Sequence, residues 1–203
     1  MTKSPSFYYN FDKLFSYNFL IAFVIGERGV GKSFNAKVAV MKKFLKTGEQ
    51  FIYMRRYKTE LDSALATFFS DLQMNGYLED YDLEVKKSKM LTTFKCNGKV
   101  CGYAVPLSTA NILKSTAFPD VKTIIFDEFL LDNSGTYKYL KNEGKISFAD
   151  IEECLVLVSC PSPPHIDPSA VSRGLGCFAY YLCRAHFLHI SMIKMVCLTG
   201  STI

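Results

Sequence analysis

Apolar positions along this chain gather in short continuous runs. Phe19–Ile25 is apolar throughout and ends at Gly26. A run without polar alternation predicts a strand buried on both faces, as in a parallel sheet. From Lys32 to Lys46 the apolar residues Phe34, Val38, Val40, Met41 and Phe44 recur among basic ones, and Gly48 follows. That spacing predicts an amphipathic helix with a glycine stop. Phe51–Arg56 predicts a second strand, Thr59–Leu72 a second helix and Val121–Asp127 a further strand. Leu91–Cys96 and Val100–Val105 flank Asn97-Gly98-Lys99, the signature of a hairpin, and Ser108–Phe118 is a polar connection. Strands alternating with helices predict an α/β fold, a mostly parallel sheet flanked by helices.

Beyond Asp150 the texture changes. Pro161, Pro163, Pro164 and Pro168 mark a loop, and of the rest Met192–Leu198 alone is assigned as a strand. Cys177, Cys183, His186 and His189 are offered as a zinc set. Their spacing is wider between the cysteines and tighter between the histidines than zinc sites use, so buried thiols are the plainer account.

Composition changes this picture little. At 203 residues, 49% hydrophobic and 21% charged, the chain suits one globular domain over 1–203. A net charge of +5 is compatible with a polyanionic partner without demanding one. An odd number of cysteines, seven, gives no disulfide framework, and reduced thiols are expected. Phe19–Ile25 is too short to span a membrane, and 177–198 is interrupted by Arg184, His186, His189 and Lys194. The expectation is a cytoplasmic protein with no membrane partner.

The chemistry begins at Gly26-Glu27-Arg28-Gly29-Val30-Gly31-Lys32-Ser33, a full G-x-x-x-x-G-K-[ST] pattern between a predicted strand and a predicted helix. Small residues let backbone N–H groups wrap phosphates, and the helix points its positive end at the same anion. Lys32 would reach the β- and γ-phosphates of ATP. The Ser33 hydroxyl is a hard ligand for Mg²⁺. Phe34, next in line, completes the candidate nucleotide-binding set. Asp127 and Glu128 end the strand Val121–Asp127, where α/β sheets bind ligands. Asp127 is the candidate for the magnesium shell. Glu128 is the candidate catalytic carboxylate, accepting a proton from the attacking water or orienting it. Arg55 and Arg56 end the second strand, one to pair with an acidic residue and one to line the nucleotide site or a DNA channel. Tyr8, Tyr9 and Phe11 stack on adenine or pack in the core, packing being the simpler role.

At these segments the sequence resembles the DNA-encapsidation ATPases of small short-tailed phages with protein-primed genomes, relatives of terminase large subunits. Phe23–Ser33, Gly48–Lys58, Asn97–Lys99 with Ala104–Ser108, Lys114-Ser115 with Ala117–Pro119, and Thr123–Phe129 carry the resemblance, which extends over roughly 6–143. It implies a P-loop, RecA-like domain of the additional-strand class. It implies a ring of identical subunits at a phage portal that drives double-stranded DNA into a prohead, and a structural RNA is a further candidate partner. It also implies that Lys114 acts on the neighbouring subunit's ATP, a role in which a cation stabilises charge on the γ-phosphate. A solvated surface lysine is the competing account. The family's arginine finger has no clean counterpart, with Arg184 and Arg173 both displaced, and its nuclease-like C-terminal domain has no matching segment. Met195–Gly200 resembles the coupling strand, with Thr199 near the γ-phosphate. A truncated or out-of-frame gene end would also account for the composition of 150–190.

Overall fold

The computed structural model describes residues 10–17, 21–26, 28–88, 91–109, 117–130, 138 and 140, and the backbone of 154–159 and 193–198. The elements run α1 Phe11–Phe15, β1 Ile21–Gly26, α2 Lys32–Thr47, β2 Gln50–Arg55, α3 Lys58–Ala66, α4 Phe68–Met74, β3 Leu83–Lys87, β4 Thr92–Cys96, β5 Lys99–Pro106, β6 Val121–Asp127, β7 Cys154–Ser159 and β8 Ile193–Leu198. They form an α/β structure around one mixed sheet of eight strands, ordered β3-β4-β5-β2-β6-β7-β1-β8.

From β5 to β8 every neighbouring pair is parallel. β3 and β4 extend the β5 edge as an antiparallel arm. The two-sided burial predicted for the first strand is observed. Ala22 and Val24 of β1 enter the core beside α2, and Ile21, Phe23 and Ile25 enter the core on the opposite face.

Four differences from the sequence expectation have local causes. The helix expected over Thr59–Leu72 is broken at Thr67, whose φ of −114° and ψ of 4° leave helical geometry. Its hydroxyl turns to Asp71 at 3.1 Å, a local bond that competes with the helix. The break brings Phe68 into an aromatic cluster, 4.3 Å from Phe94 and 5.2 Å from Tyr53 between ring centroids. The hairpin gains a third strand, β3, whose two lysines hid its apolar positions. Asn97 holds it in place, accepting from the Asp82 amide at 2.9 Å and donating its own amide to the Asp82 carbonyl at 2.7 Å. Phe11 begins a short helix capped by the Asn10 side chain and lies in the core, 2% exposed. Packing, the simpler of the two expected roles, is thus observed for Phe11, and the helix itself is what the sequence did not predict. Finally, Met192–Leu198 is not the only late strand. Cys154–Ser159 forms β7 and sits between β6 and β1.

Close contact of β5 with β2 depends on Gly102. A Cβ there would lie 2.7 Å from the Phe51 carbonyl oxygen. The residue must therefore lack a side chain for Phe51 to pack on Phe94 at 5.5 Å.

Candidate functional site

The carboxyl ends of β1, β2 and β6 converge, as parallel pairing in one sheet requires. β1 ends at Gly26, and the chain returns into α2 through a loop in which Gly29 and Gly31 have φ of 85° and 70°. Both angles lie where a side chain is strained. Gly31 is also the N-cap of α2, and no side chain caps the helix. The first turn of α2 carries the helix's positive end, a setting that suits an anion. Lys32 is 2% exposed and donates from Nζ to the Gly26 carbonyl at 2.7 Å. That bond holds the ammonium against the start of the loop.

From the first turn of α2, Ser33 Oγ donates to Asp127 Oδ1 at 2.7 Å. Asp127 is 1% exposed at the end of β6. Its other oxygen accepts from the Tyr53 hydroxyl at 2.7 Å and from Arg55 Nη2 at 2.8 Å. Arg55 Nε also donates to the Tyr53 oxygen at 3.2 Å, and Arg55 Nη1 meets Glu128 Oε2 at 2.5 Å. One guanidinium thus bridges both carboxylates of the acidic pair. Burial works against the charge on Arg55, but Asp127, Tyr53 and Glu128 together hold its pKa above the ordinary value. Burial first, and then the Asp127 charge, pushes the Tyr53 phenol well above its usual range, so the hydroxyl remains a donor.

Glu128 follows at φ 57°, in the left-handed region. A non-glycine residue there costs on the order of 1–3 kcal/mol and persists only where neighbours impose it. Arg56 is the neighbour. Fully buried, it donates to the Glu128 carbonyl at 3.2 Å and to the Phe129 carbonyl at 2.5 Å, with its guanidinium 5.4 Å from the Phe126 ring centroid. Its own carbonyl accepts from the Ser108 amide at 3.0 Å, tying in the end of β5.

Gly26, Gly29, Gly31, Lys32, Ser33, Asp127 and Glu128 therefore come together. Arg28 is exposed and Val30 half-buried on the same loop. Phe34 turns its ring to Tyr77, 5.7 Å away between centroids, so its side chain packs α2 rather than facing the loop. Arg55 takes the acidic partner foreseen for one of the two arginines. Arg56 takes backbone carbonyls, a use the sequence did not suggest. Tyr53 was missed altogether. Its signal was slight: a polar-tipped aromatic two positions before Arg55, hence on the same face of β2. Glu27, Lys114, Tyr8, Tyr9, Arg173, Arg184, Thr199 and the Cys177–His189 set lie outside the described residues.

The donors present suit a divalent cation bound with phosphate. Ser33 Oγ and Asp127 Oδ1 are two hard oxygens in mutual contact at the start of α2, the ligand type magnesium prefers.

Comparison with known proteins decides the family. The profile of the podovirus DNA encapsidation protein (Gp16) family matches residues 1–155. The chain belongs to that family. Among its relatives, the DNA packaging protein of Bacillus phage phi29 is 43% identical over 138 residues, 68% of this chain. The chain spans about two-fifths of that relative, 39% of its length. The crystal structure of the N-terminal domain of the DNA packaging ATPase from bacteriophage phi29 superposes with a TM-score of 0.64 at 35% identity, covering 83% of this chain and 87% of that one. The large terminase of a thermophilic bacteriophage, in complex with ADP, shares the fold at a TM-score of 0.52 and 14% identity, covering 89% of this chain and 40% of that one. For this encapsidation-family chain, the match to residue 155 reaches into β7. Among the described residues no helix is long and apolar enough to cross a membrane.

Proposed function

We propose that the chain is the ATP-hydrolysing domain of a phage DNA-packaging motor, a P-loop, RecA-like unit spanning 1–203. The hydrogen bond from Ser33 Oγ to Asp127 Oδ1 carries this proposal. It joins the start of a helix behind a glycine loop to the acidic end of β6, a parallel strand separated from β1 by β7, the pairing that nucleotide-triphosphate chemistry uses to hold a metal beside phosphates. Magnesium, when bound, supplies neutralisation of charge on the phosphate oxygens. Ser33 and Asp127 hold it. Backbone amides from Gly26 to Phe34, through Glu27, Arg28, Gly29, Val30 and Gly31, cradle the phosphates of ATP. Lys32 supplies a point charge to the β- and γ-phosphates. Glu128, half-exposed on a turn fixed by Arg56, orients the attacking water or takes its proton. Lys114 serves the neighbouring subunit's nucleotide in a homo-oligomeric ring. The partners are double-stranded DNA and the viral portal, with a structural RNA as a further candidate, in the host cytoplasm.

Nucleotide binding without productive cleavage is the alternative. The contact of Arg55 with Glu128 favours it, because the guanidinium occupies the carboxylate oxygen Oε2 that would otherwise meet the attacking water.

ATP turnover by wild type and Glu128→Gln, with and without double-stranded DNA, separates the two. The motor predicts measurable turnover raised by DNA. It also predicts a loss on the order of 100-fold or more in Glu128→Gln, the usual contribution of a general base, while ATP still binds. Equal, undetectable turnover in both proteins despite ATP binding leaves the binding module standing. A chain that does not bind ATP refutes both.

A further inference from the structure

The two oxygens of Asp127 are used differently. Oδ1 meets Ser33, on the side of the glycine loop. Among the described residues Oδ2 receives only donors from β2, the Tyr53 hydroxyl at 2.7 Å and Arg55 Nη2 at 2.8 Å. A carboxylate held by charge alone can swing about its Cβ–Cγ bond, because terminal torsions of this kind are broad. Arg55 also holds Oδ2, but its guanidinium is shared with the half-exposed Glu128, which Nη1 meets at 2.5 Å. Tyr53 is differently placed. It is 1% exposed, and its ring stands 5.2 Å from that of Phe68 in an edge contact, inside the aromatic cluster. Its hydroxyl is fixed by packing on a strand hydrogen-bonded to β6, with Tyr53 opposite Ile125.

We infer that Tyr53 is a positioning residue for the divalent cation: its hydroxyl pins Asp127 Oδ2 and so presents Oδ1, with Ser33 Oγ, as the pair of oxygens that faces the metal or its water shell. The inference rests on the nucleotide-binding part of the function proposed above. It assigns work to a residue that touches neither nucleotide nor metal. Partners that orient a metal ligand in this way usually contribute about 10- to 100-fold to metal affinity.

Tyr53→Phe is the discriminating variant, because the ring that fills the aromatic cluster is retained and only the hydroxyl is lost. Binding of a fluorescent ATP analogue is measured first in EDTA and then at rising Mg²⁺, alongside the thermal melting of the nucleotide-free chain. Tyr53→Phe is expected to need about tenfold more Mg²⁺ for half-maximal enhancement of binding, with affinity in EDTA and cooperative melting retained. Asp127→Asn sets the scale for complete loss of the metal effect. A Mg²⁺ requirement within about twofold of wild type, well short of that expectation, overturns the inference. So does an equal loss of affinity in EDTA, or a variant that no longer folds, since the hydroxyl would then be architectural. A wild-type chain whose nucleotide binding is indifferent to Mg²⁺ contradicts the proposed site itself, and that result is visible before any variant is compared.

Discussion

Ser33 Oγ and Asp127 Oδ1, 94 residues apart in the chain, lie 2.7 Å apart at the ends of α2 and β6. If both oxygens serve one cation, removing either should remove most of the effect of removing both. Ser33→Ala and Asp127→Asn are each expected to weaken Mg²⁺-dependent nucleotide binding by at least about tenfold. The double variant should fall little further, with a coupling on the order of 0.5–3 kcal/mol. Additive losses in a double-mutant cycle of Mg²⁺ titrations would break the link.

Arg55 is expected to matter for stability as well as for chemistry. Among the described residues it is the cation paired with Asp127, which is 1% exposed, and it is itself 14% exposed. Arg55→Gln leaves a buried carboxylate with hydroxyl partners only. A loss of about 3 kcal/mol is expected, the usual result of removing one member of a buried pair. Urea denaturation at neutral pH measures it, and a loss below about 1 kcal/mol would show that the pair behaves as a surface contact.

Arg56 should affect turnover through geometry. Lysine in its place keeps the charge but cannot serve the Glu128 and Phe129 carbonyls with a planar fork. Glu128 would then lose the contact that imposes its left-handed backbone. For Arg56→Lys the expectation is kcat lowered roughly tenfold or more with KM nearly unchanged, since small misplacements of a reacting group are costly. A raised KM at unchanged kcat would contradict it.

Cys101 gives the chain a pH dependence in the alkaline range. Burial, and then the neighbouring Cys96, pushes its thiol up to about 12 from an ordinary 9.0. The folded state thus favours the protonated thiol, while the unfolded chain ionises near 9. Stability is fully present below the unfolded value and should decline as pH rises from about 9 towards 12, by at most about 1.4 kcal/mol per pH unit. Other groups titrate there too, so the quantity to measure is the difference between wild type and Cys101→Val. Parallel stability curves for the two would exclude the thiol. At a pH of about 8, below the ordinary thiol value, a thiol reagent should modify Cys101 only as fast as the fold opens.

The sequence by itself determined the local features. The glycine loop and its helix could be read because their periodicity and small residues have few other uses. The buried strands β1, β2 and β6 could be read because two-sided burial leaves an unbroken apolar run. The acidic pair could be read because it ends such a run. Tertiary structure alone decided what depends on strand order. β7 lies between β6 and β1, and β2 lies on the other side of β6. That order brings Tyr53 and Arg55 from one side, and Ser33 from the other, onto a single carboxylate. Side-chain periodicity tells which face of a strand a residue occupies and not which strand will be its neighbour. So Asp127 was visible in the sequence as an acid at a strand end. That its two oxygens are divided between a loop serine and a buried tyrosine is a property of packing.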